Sequence, residues 1–144
     1  RENKVVFKSI DDVEKKDIKD LIIRWKEQRK NNERVHLIQY LNFVDNFFRG
    51  FDLVRIMEVN GYICSISAGW KVPNTRSYYS FFGIHDYSLK NLGEISYLDE
   101  FLAAKKMGFE TLDLGGMEKD NLGFKLKFHP FKFYQTDTFS IVKS

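Results

Sequence analysis

Asn60-Gly61 stands between two runs of β-type residues, Leu53 to Val59 and Tyr62 to Trp70. A two-residue hairpin turn needs left-handed backbone at both central positions, which Asn and Gly tolerate best, so these runs are expected to pair antiparallel. Pro73-Asn74 marks the next turn, and Arg76 to Ile84, rich in Tyr and Phe, reads as a third strand. Two successive antiparallel connections make a meander, and the rest of the chain must pack on it.

The flanking segments carry helical spacing. Val5 to Phe7 reads as a short strand, after which Ser9 or Asp11 is suited to cap a helix. Ile18, Leu21, Ile22 and Trp25 follow the i, i+3, i+4, i+7 pattern of a buried face. A second helix is expected from about Glu33 to Phe48, with Ile38, Leu41, Val44 and Phe48 inward and Gly50 ending it. A third runs from about Asn91 to Met107, with Asn91 and Glu94 spaced as a capping box. Ile95, Leu98, Phe101 and Leu102 supply its expected apolar side, and Gly108 its C-terminal stop. Phe109 to Leu114 reads as a strand stopped by Gly115-Gly116, Lys119 to Lys127 as a brief helix, and Phe131 to Val142 as the last strand or strands.

The order is β-α-α-β-β-β-α-β-α-β. A strand that follows a helical crossover is most easily placed parallel to the strand before it. Arg76 to Ile84 and Phe109 to Leu114 should therefore form the parallel pair of a mixed sheet, in an α+β fold of one domain over residues 1–144.

Composition narrows the function classes. At 144 residues with 43% hydrophobic and 30% charged residues, the chain has the profile of a soluble globular domain. No apolar run approaches the ~20 residues of a membrane helix. The single cysteine, Cys64, forbids an internal disulfide and fits a reducing, cytoplasmic compartment. The chain opens on Arg1 rather than Met, as would a part of a longer protein. The net charge of +3 is concentrated late, where Lys119, Lys125, Lys127, Lys132 and Lys143 face only Asp120 and Asp137. Such a patch suits phosphates of a nucleotide cofactor, of tRNA or of a lipid headgroup, and equally a solvated surface. Zinc-protease, Cys-x-x-Cys, Gly-x-Ser-x-Gly and phosphate-loop signatures are absent, and His36, His85, His129 and Cys64 are too scattered for a metal site.

The element order resembles that of the GNAT acyltransferases along essentially the whole chain. Three stretches are most similar to the aminoacyl-transferring branch, the FemAB enzymes and the C-terminal domain of lysylphosphatidylglycerol synthases. They are Ala103-Ala104-Lys105-Lys106-Met107-Gly108-Phe109, Leu112-Asp113-Leu114-Gly115-Gly116 and Phe124-Lys125-Leu126-Lys127-Phe128-His129-Pro130. The resemblance implies direct transfer of an acetyl or aminoacyl group to an amine or hydroxyl of a small-molecule, lipid or peptide acceptor. It implies acyl-CoA as donor, or alternatively aminoacyl-tRNA, in which case tRNA is a partner and this domain one half of a larger enzyme. A non-catalytic GNAT-like binding module is the remaining alternative.

The same resemblance assigns site residues. Its acyl carbonyl is held by backbone of the strand that splays from its parallel neighbour, here Ser80-Phe81-Phe82-Gly83-Ile84, which brings in Phe82 and Gly83. Gly83 admits a close approach or marks a bulge. Its phosphate loop corresponds to Lys90-Asn91-Leu92-Gly93-Glu94-Ile95, making Lys90, Asn91 and Gly93 cofactor contacts, although Ile95 and Glu94 depart from the small and uncharged pattern. Lys125 is implied at the developing charge of transfer and Lys127 at the cofactor. Two lysines at i, i+2 share a side only where helix gives way to extended chain. General-base candidates are Asp113, His85, Asp86 and Glu118, of which Asp113 alternates with Leu112 and Leu114 and so points off the apolar face. Tyr134 and Tyr87 are candidate acids.

Overall fold

The structure is a computed structural model that describes residues 3–29, 36–115 and 122–134. It divides into two compact units, Arg1–Asp113 and Leu114–Ser144. The first unit holds β1 (Val5–Lys8), α1 (Lys15–Gln28), α2 (Leu37–Asp45), β2 (Leu53–Val59), β3 (Tyr62–Lys71), β4 (Ser77–His85), α3 (Leu92–Lys106) and β5 (Thr111–Asp113). The strands form one five-stranded sheet in the order β1-β2-β3-β4-β5. All neighbours are antiparallel except β4 and β5, which pair in parallel through Ser77↔Thr111, Tyr78↔Leu112 and Tyr79↔Asp113. The expected α+β mixed sheet, meander and parallel pair are therefore present. Asn60 at φ 53° and Gly61 at φ 88° close the hairpin with the left-handed backbone that this turn demands.

One face of the sheet carries the apolar core. Ile18, Leu21, Ile22 and Trp25 of α1 and Val44 of α2 pack on Ile56, Ile66, Ala68, Phe82 and Ile84. The helix begins later than its capping residues suggested. Ser9 precedes a single 3-10 turn, where the Asp12 carboxylate accepts from the Ser9 amide at 3.3 Å and hydroxyl at 2.8 Å, and α1 starts only at Lys15. Residues 33–35 lie outside the described residues, and α2 ends at Asp45 rather than Phe48. Phe47 and Phe48 both take φ 49°, a left-handed turn that ends the helix and sends Phe48 into the core. Ile38, expected inward, is 73% exposed; Leu37 and Tyr40 pack in its stead, beside the expected Leu41.

The opposite face carries α3, and here the apolar periodicity points the wrong way. Ile95, Leu98 and Leu102, expected to be buried, are exposed, whereas Leu92, Gly93, Ser96, Glu100 and Ala104 face inward. The cause is the sheet beneath. β3 presents Ser65 and Ser67 to this face, so a polar and small-sided helix stripe matches it better than leucine would. Ser65 donates to Ser96 at 2.6 Å, and Arg55 of β2 makes a two-point ion pair with Asp99 at 2.7 and 3.1 Å. The expected capping box is also absent, because Asn91 sits at φ 61°, outside the extended backbone that lets an N-cap side chain reach the first turn. The C-terminus follows expectation. Gly108 at φ 90° closes α3 with its amide on Lys105 O and that of Phe109 on Ala104 O.

The second unit contains α4 (Leu122–Leu126), which ends one residue before the expected Lys127, while residues 119–121 of the expected helix lie outside the described residues. His129 takes φ 48° just before Pro130, and the chain from Phe131 to Tyr134 is not a strand. Residues 135–142, the remainder of the expected last strand, are outside the described residues. Among the described residues no helix is long and apolar enough to cross a membrane.

Phe82 is 1% exposed and meets Tyr40, Phe43 and Phe48 at ring-centroid distances of 5.3, 6.0 and 5.3 Å. Phe82→Ala is expected to cost about 3–5 kcal/mol of stability in urea unfolding, while Ile38→Ala stays within about 0.5 kcal/mol of the parent.

Candidate active site

The sheet loses its regularity at one point in β4. Ala68 of β3 pairs with Phe82 and Gly69 with Ser80, so Phe81 is an extra residue with no partner. This β-bulge turns Phe81 and Phe82 to the same face, where each meets Phe43 at a ring-centroid distance of 6.0 Å. The bulge lies two residues before Gly83, the residue the sequence pointed to. The parallel pairing with β5 stops just ahead of it, at Tyr79↔Asp113. From Ser80 onward the β5-side edge of β4 therefore has no strand partner among the described residues.

Close approach at the glycines serves the protein's own side chains. A Cβ at Gly83 would stand 2.6 Å from the Tyr97 hydroxyl, and one at Gly93 would stand 2.8 Å from Cε1 of His85. A Cβ at Gly69 would meet the Tyr79 carbonyl at 2.1 Å and the hydroxyl end of the Tyr78 ring at 2.6 Å, so Tyr78 reaches across β3 at this position. Each glycine thus seats a ring beside the β4 backbone. Burial pushes the Tyr97 hydroxyl up to about 12, with the Glu100 charge adding to it.

Beneath the bulge lies a group that apolar pattern reading overlooks. Glu100 of α3 is fully buried and accepts from the Tyr78 hydroxyl at 2.7 Å and the Ser80 hydroxyl at 2.9 Å. Ser67 faces the same carboxyl from β3. Burial raises the Glu100 carboxyl to about 7, against the lowering effect of these hydroxyls. Both of its strand partners precede Phe81 on β4, so the carboxyl fixes the strand where the bulge begins. The signal in the sequence was the polar and glycine alternation Ser65, Ser67, Gly69, which asks for a polar partner on that face.

The turn from β4 into α3 is held by α1. Asp86 accepts from Gln28 at 2.8 Å and from the Ser88 amide at 2.9 Å, with Arg24 at 3.7 Å, while Gln28 also accepts from the Tyr87 amide at 2.9 Å. Burial pushes the Asp86 carboxyl up, but these hydrogen bonds and Arg24 outweigh it and hold it low. Such a carboxylate is a loop anchor and a poor base. Burial lowers the His85 imidazole, with Arg29 assisting against Glu94 and Asp86, so this ring is neutral at physiological pH. His85 packs edge-on to Tyr87 at 4.8 Å.

The remaining sequence candidates are distributed as follows. Phe82 has its side chain in the core, which leaves only its backbone for contact. Lys90, Asn91 and Gly93 lie together at the start of α3, with Glu94 in its first turn. Asp113 ends β5 opposite Tyr79. In the second unit, the Lys125 ammonium donates to the Leu114 carbonyl and, at 3.3 Å, to that of Gly115. The Lys127 ammonium stands 5.7 Å from the Phe124 ring. Tyr134 and His129 are exposed, Glu118 lies outside the described residues, and Cys64 is buried with its thiol on the Tyr62 carbonyl at 3.2 Å. No group of three or more metal-ligating side chains occurs among the described residues.

The overall fold, a mixed sheet flanked by helices, is shared with solved acetyltransferases. An aminoglycoside acetyltransferase from an uncultured soil metagenomic sample superposes with a TM-score of 0.67 at 13% identity, over 99% of this chain and 97% of its own. The chain has the GNAT fold. A GNAT-family acetyltransferase of Streptococcus pneumoniae gives 0.62 at 13% identity over 99% and 100% of the two chains. The PaiA N-acetyltransferase of Thermoplasma acidophilum, in complex with coenzyme A, gives 0.61 at 15% identity over 95% and 94%. No protein-family model and no curated protein sequence matches the chain.

Glu100 makes a titration prediction. Its folded pKa of about 7 lies above the 4.5 of an unperturbed carboxyl, so the native state holds the extra proton between those values. Stability is full below about pH 4.5, falls as pH rises toward 7, and is then lost by a few kcal/mol. Glu100→Gln is expected to flatten that fall in denaturant unfolding between pH 5 and 8.

Proposed function

We propose that residues 1–144 form one acyltransferase domain that moves an acyl group from a coenzyme A thioester to an amine. The observation that supports this reading best is the bulge at Phe81, after which the β5-side edge of β4 has no strand partner among the described residues. Extended backbone beyond a bulge offers alternating N–H and C=O groups to a pantetheine-like chain, as a neighbouring strand would. At the far end, the first-turn amides of α3 and Lys90 face the phosphates, where the helix dipole favours negative charge. Glu94 in the same turn is the discordant charge, and its field bears on His85.

An acyl thioester supplies an activated carbonyl, and the amide forms as the thiol departs. The chain's own contribution is to place that carbonyl against β4 and to take a proton from the incoming ammonium. Asp113, which ends β5 where the two strands part, is the base in this reading, acting directly or through water. No activated nucleophile is required, since the amine attacks without a covalent intermediate on the protein. Lys125 serves as the tie that fixes the Leu114 and Gly115 carbonyls, and transfer from aminoacyl-tRNA has no such structural support.

Two measurements test the reading. Acetyl-CoA at 100 times its dissociation constant should stabilise the protein by about 2.7 kcal/mol in a thermal-shift titration. With a panel of primary amines it should release thiol and yield acetylated product by mass spectrometry, and Asp113→Asn should lower kcat by about a hundredfold with little change in donor affinity. Absence of both the shift and the thiol overturns the proposal. A fully active Asp113→Asn protein removes Asp113 from it.

A further inference from the structure

The bulge does more than open backbone, because it carries an aromatic side chain out of the sheet. Phe81 is 47% exposed, although it lies mid-strand and is the residue without a cross-strand partner. Its ring lies 5.0 Å from that of Trp70 at an interplanar angle of 36° and 6.3 Å from that of Tyr79 at 35°. Trp70 and Tyr79 are themselves 5.3 Å apart at 41°. Phe43 and Phe51 back this group edge-on or tilted, at 6.0 and 6.1 Å from Phe81. The rings of Trp70, Tyr79 and Phe81 thus form a shallow, half-exposed wall on the α2 side of the sheet.

The wall has a charge at its edge. Tyr79 is the register partner of Asp113, and partners in a parallel ladder turn their side chains to the same face. Asp113 is close enough that its charge, after burial, raises the Tyr79 hydroxyl. Aromatic faces carry negative potential and bind organic cations, and a carboxylate at the rim adds attraction of the same sign. Neutral acceptors gain nothing from the rim charge, and anionic ones are repelled by it and by the ring faces.

We infer that Trp70, Tyr79, Phe81 and Asp113 form the acceptor subsite of the proposed transferase and select a cationic primary amine carried on an apolar body. This rests on the acyl-transfer reading. The body lies on the rings and the ammonium turns to the rim, beside the β4 edge where the acyl group would be held. The bulge therefore serves both substrates at once, its backbone toward the donor and its Phe81 ring toward the acceptor.

The test uses the whole chain, with no acyl donor present. Phenethylamine is titrated against the protein with tryptophan fluorescence as readout, and neutral phenethyl alcohol is the control. Trp70 is the half-exposed tryptophan, whereas Trp25 is 2% exposed, so a response reports on the wall. Saturable binding of the amine, at least tenfold tighter than the alcohol, is expected. Phe81→Ala and Asp113→Asn should each weaken it by about tenfold, and Asp113→Asn should leave the alcohol unaffected. Phe81→Leu keeps apolar bulk without a ring and should weaken the amine in the same way, which separates loss of the ring from loss of folding. Equal binding of amine and alcohol, no binding of either, or unchanged amine binding by the variants overturns the inference. A protein that binds phenethylamine through the wall yet releases no thiol from acetyl-CoA sinks the transfer reading alone. One that acetylates amines with KM unmoved by Phe81→Leu sinks the subsite alone.

Discussion

The buried carboxyl of Glu100 is the contact on which this structure turns. A carboxyl with no exposure is costly unless hydrogen-bonded, and here the Tyr78 and Ser80 hydroxyls meet it from β4, the strand that joins the meander to the parallel β5. Satisfying it settles the rotation of α3. With Glu100 inward, Ser96 reaches Ser65 and Asp99 reaches Arg55, while Ile95, Leu98 and Leu102 are turned outward. The apolar residues lost to burial on that face are offset by the opposite one, where α1 and α2 bury an aliphatic and aromatic core.

That same contact prepares the irregularity beside it. Tyr78 lies across Gly69, whose lack of a side chain is compulsory given the Tyr79 carbonyl 2.1 Å from where a Cβ would stand. Ser80 is held from below, and the next residue, Phe81, is the one that breaks register. A strand pinned on one side of an extra residue and packed into the core on the other, through Phe82 and Ile84, has a defined bend rather than a loose one. Pairing with β5 stops at this point, and among the described residues no strand continues along that edge of β4, the arrangement that a binding site for an extended ligand needs.

Much of this was legible in the chain. Asn60-Gly61 announced the hairpin, the 3.6-residue spacing of Ile18 to Trp25 gave the buried side of α1, and the helical crossover implied the parallel pair. The errors have a common origin. Apolar periodicity points to burial of the wrong stripe in α3 and at Ile38, because which stripe a helix buries depends on what the facing sheet offers. Ser65, Ser67 and Gly69 in an otherwise apolar strand were the clue that this face would be polar. Gly83 permits either a close approach or a bulge; it admits the Tyr97 hydroxyl, and the bulge falls on Phe81, where packing of consecutive phenylalanines against Phe43 holds the extra residue.

Local chemistry alone determined the elements, their order and the meander, since turn backbone and side-chain period are properties of a few neighbouring residues. The fold followed, because short antiparallel connections and a right-handed crossover leave few topologies. Tertiary structure decided the rest. Only packing brings Glu100 to Tyr78 and Ser80, sets Tyr97 against Gly83 and His85 against Gly93, and gathers Trp70, Tyr79 and Phe81 into one wall beside Asp113. These contacts join residues from different strands and helices, and the energy that selects them is desolvation and hydrogen bonding across the sheet, which no window of local sequence contains.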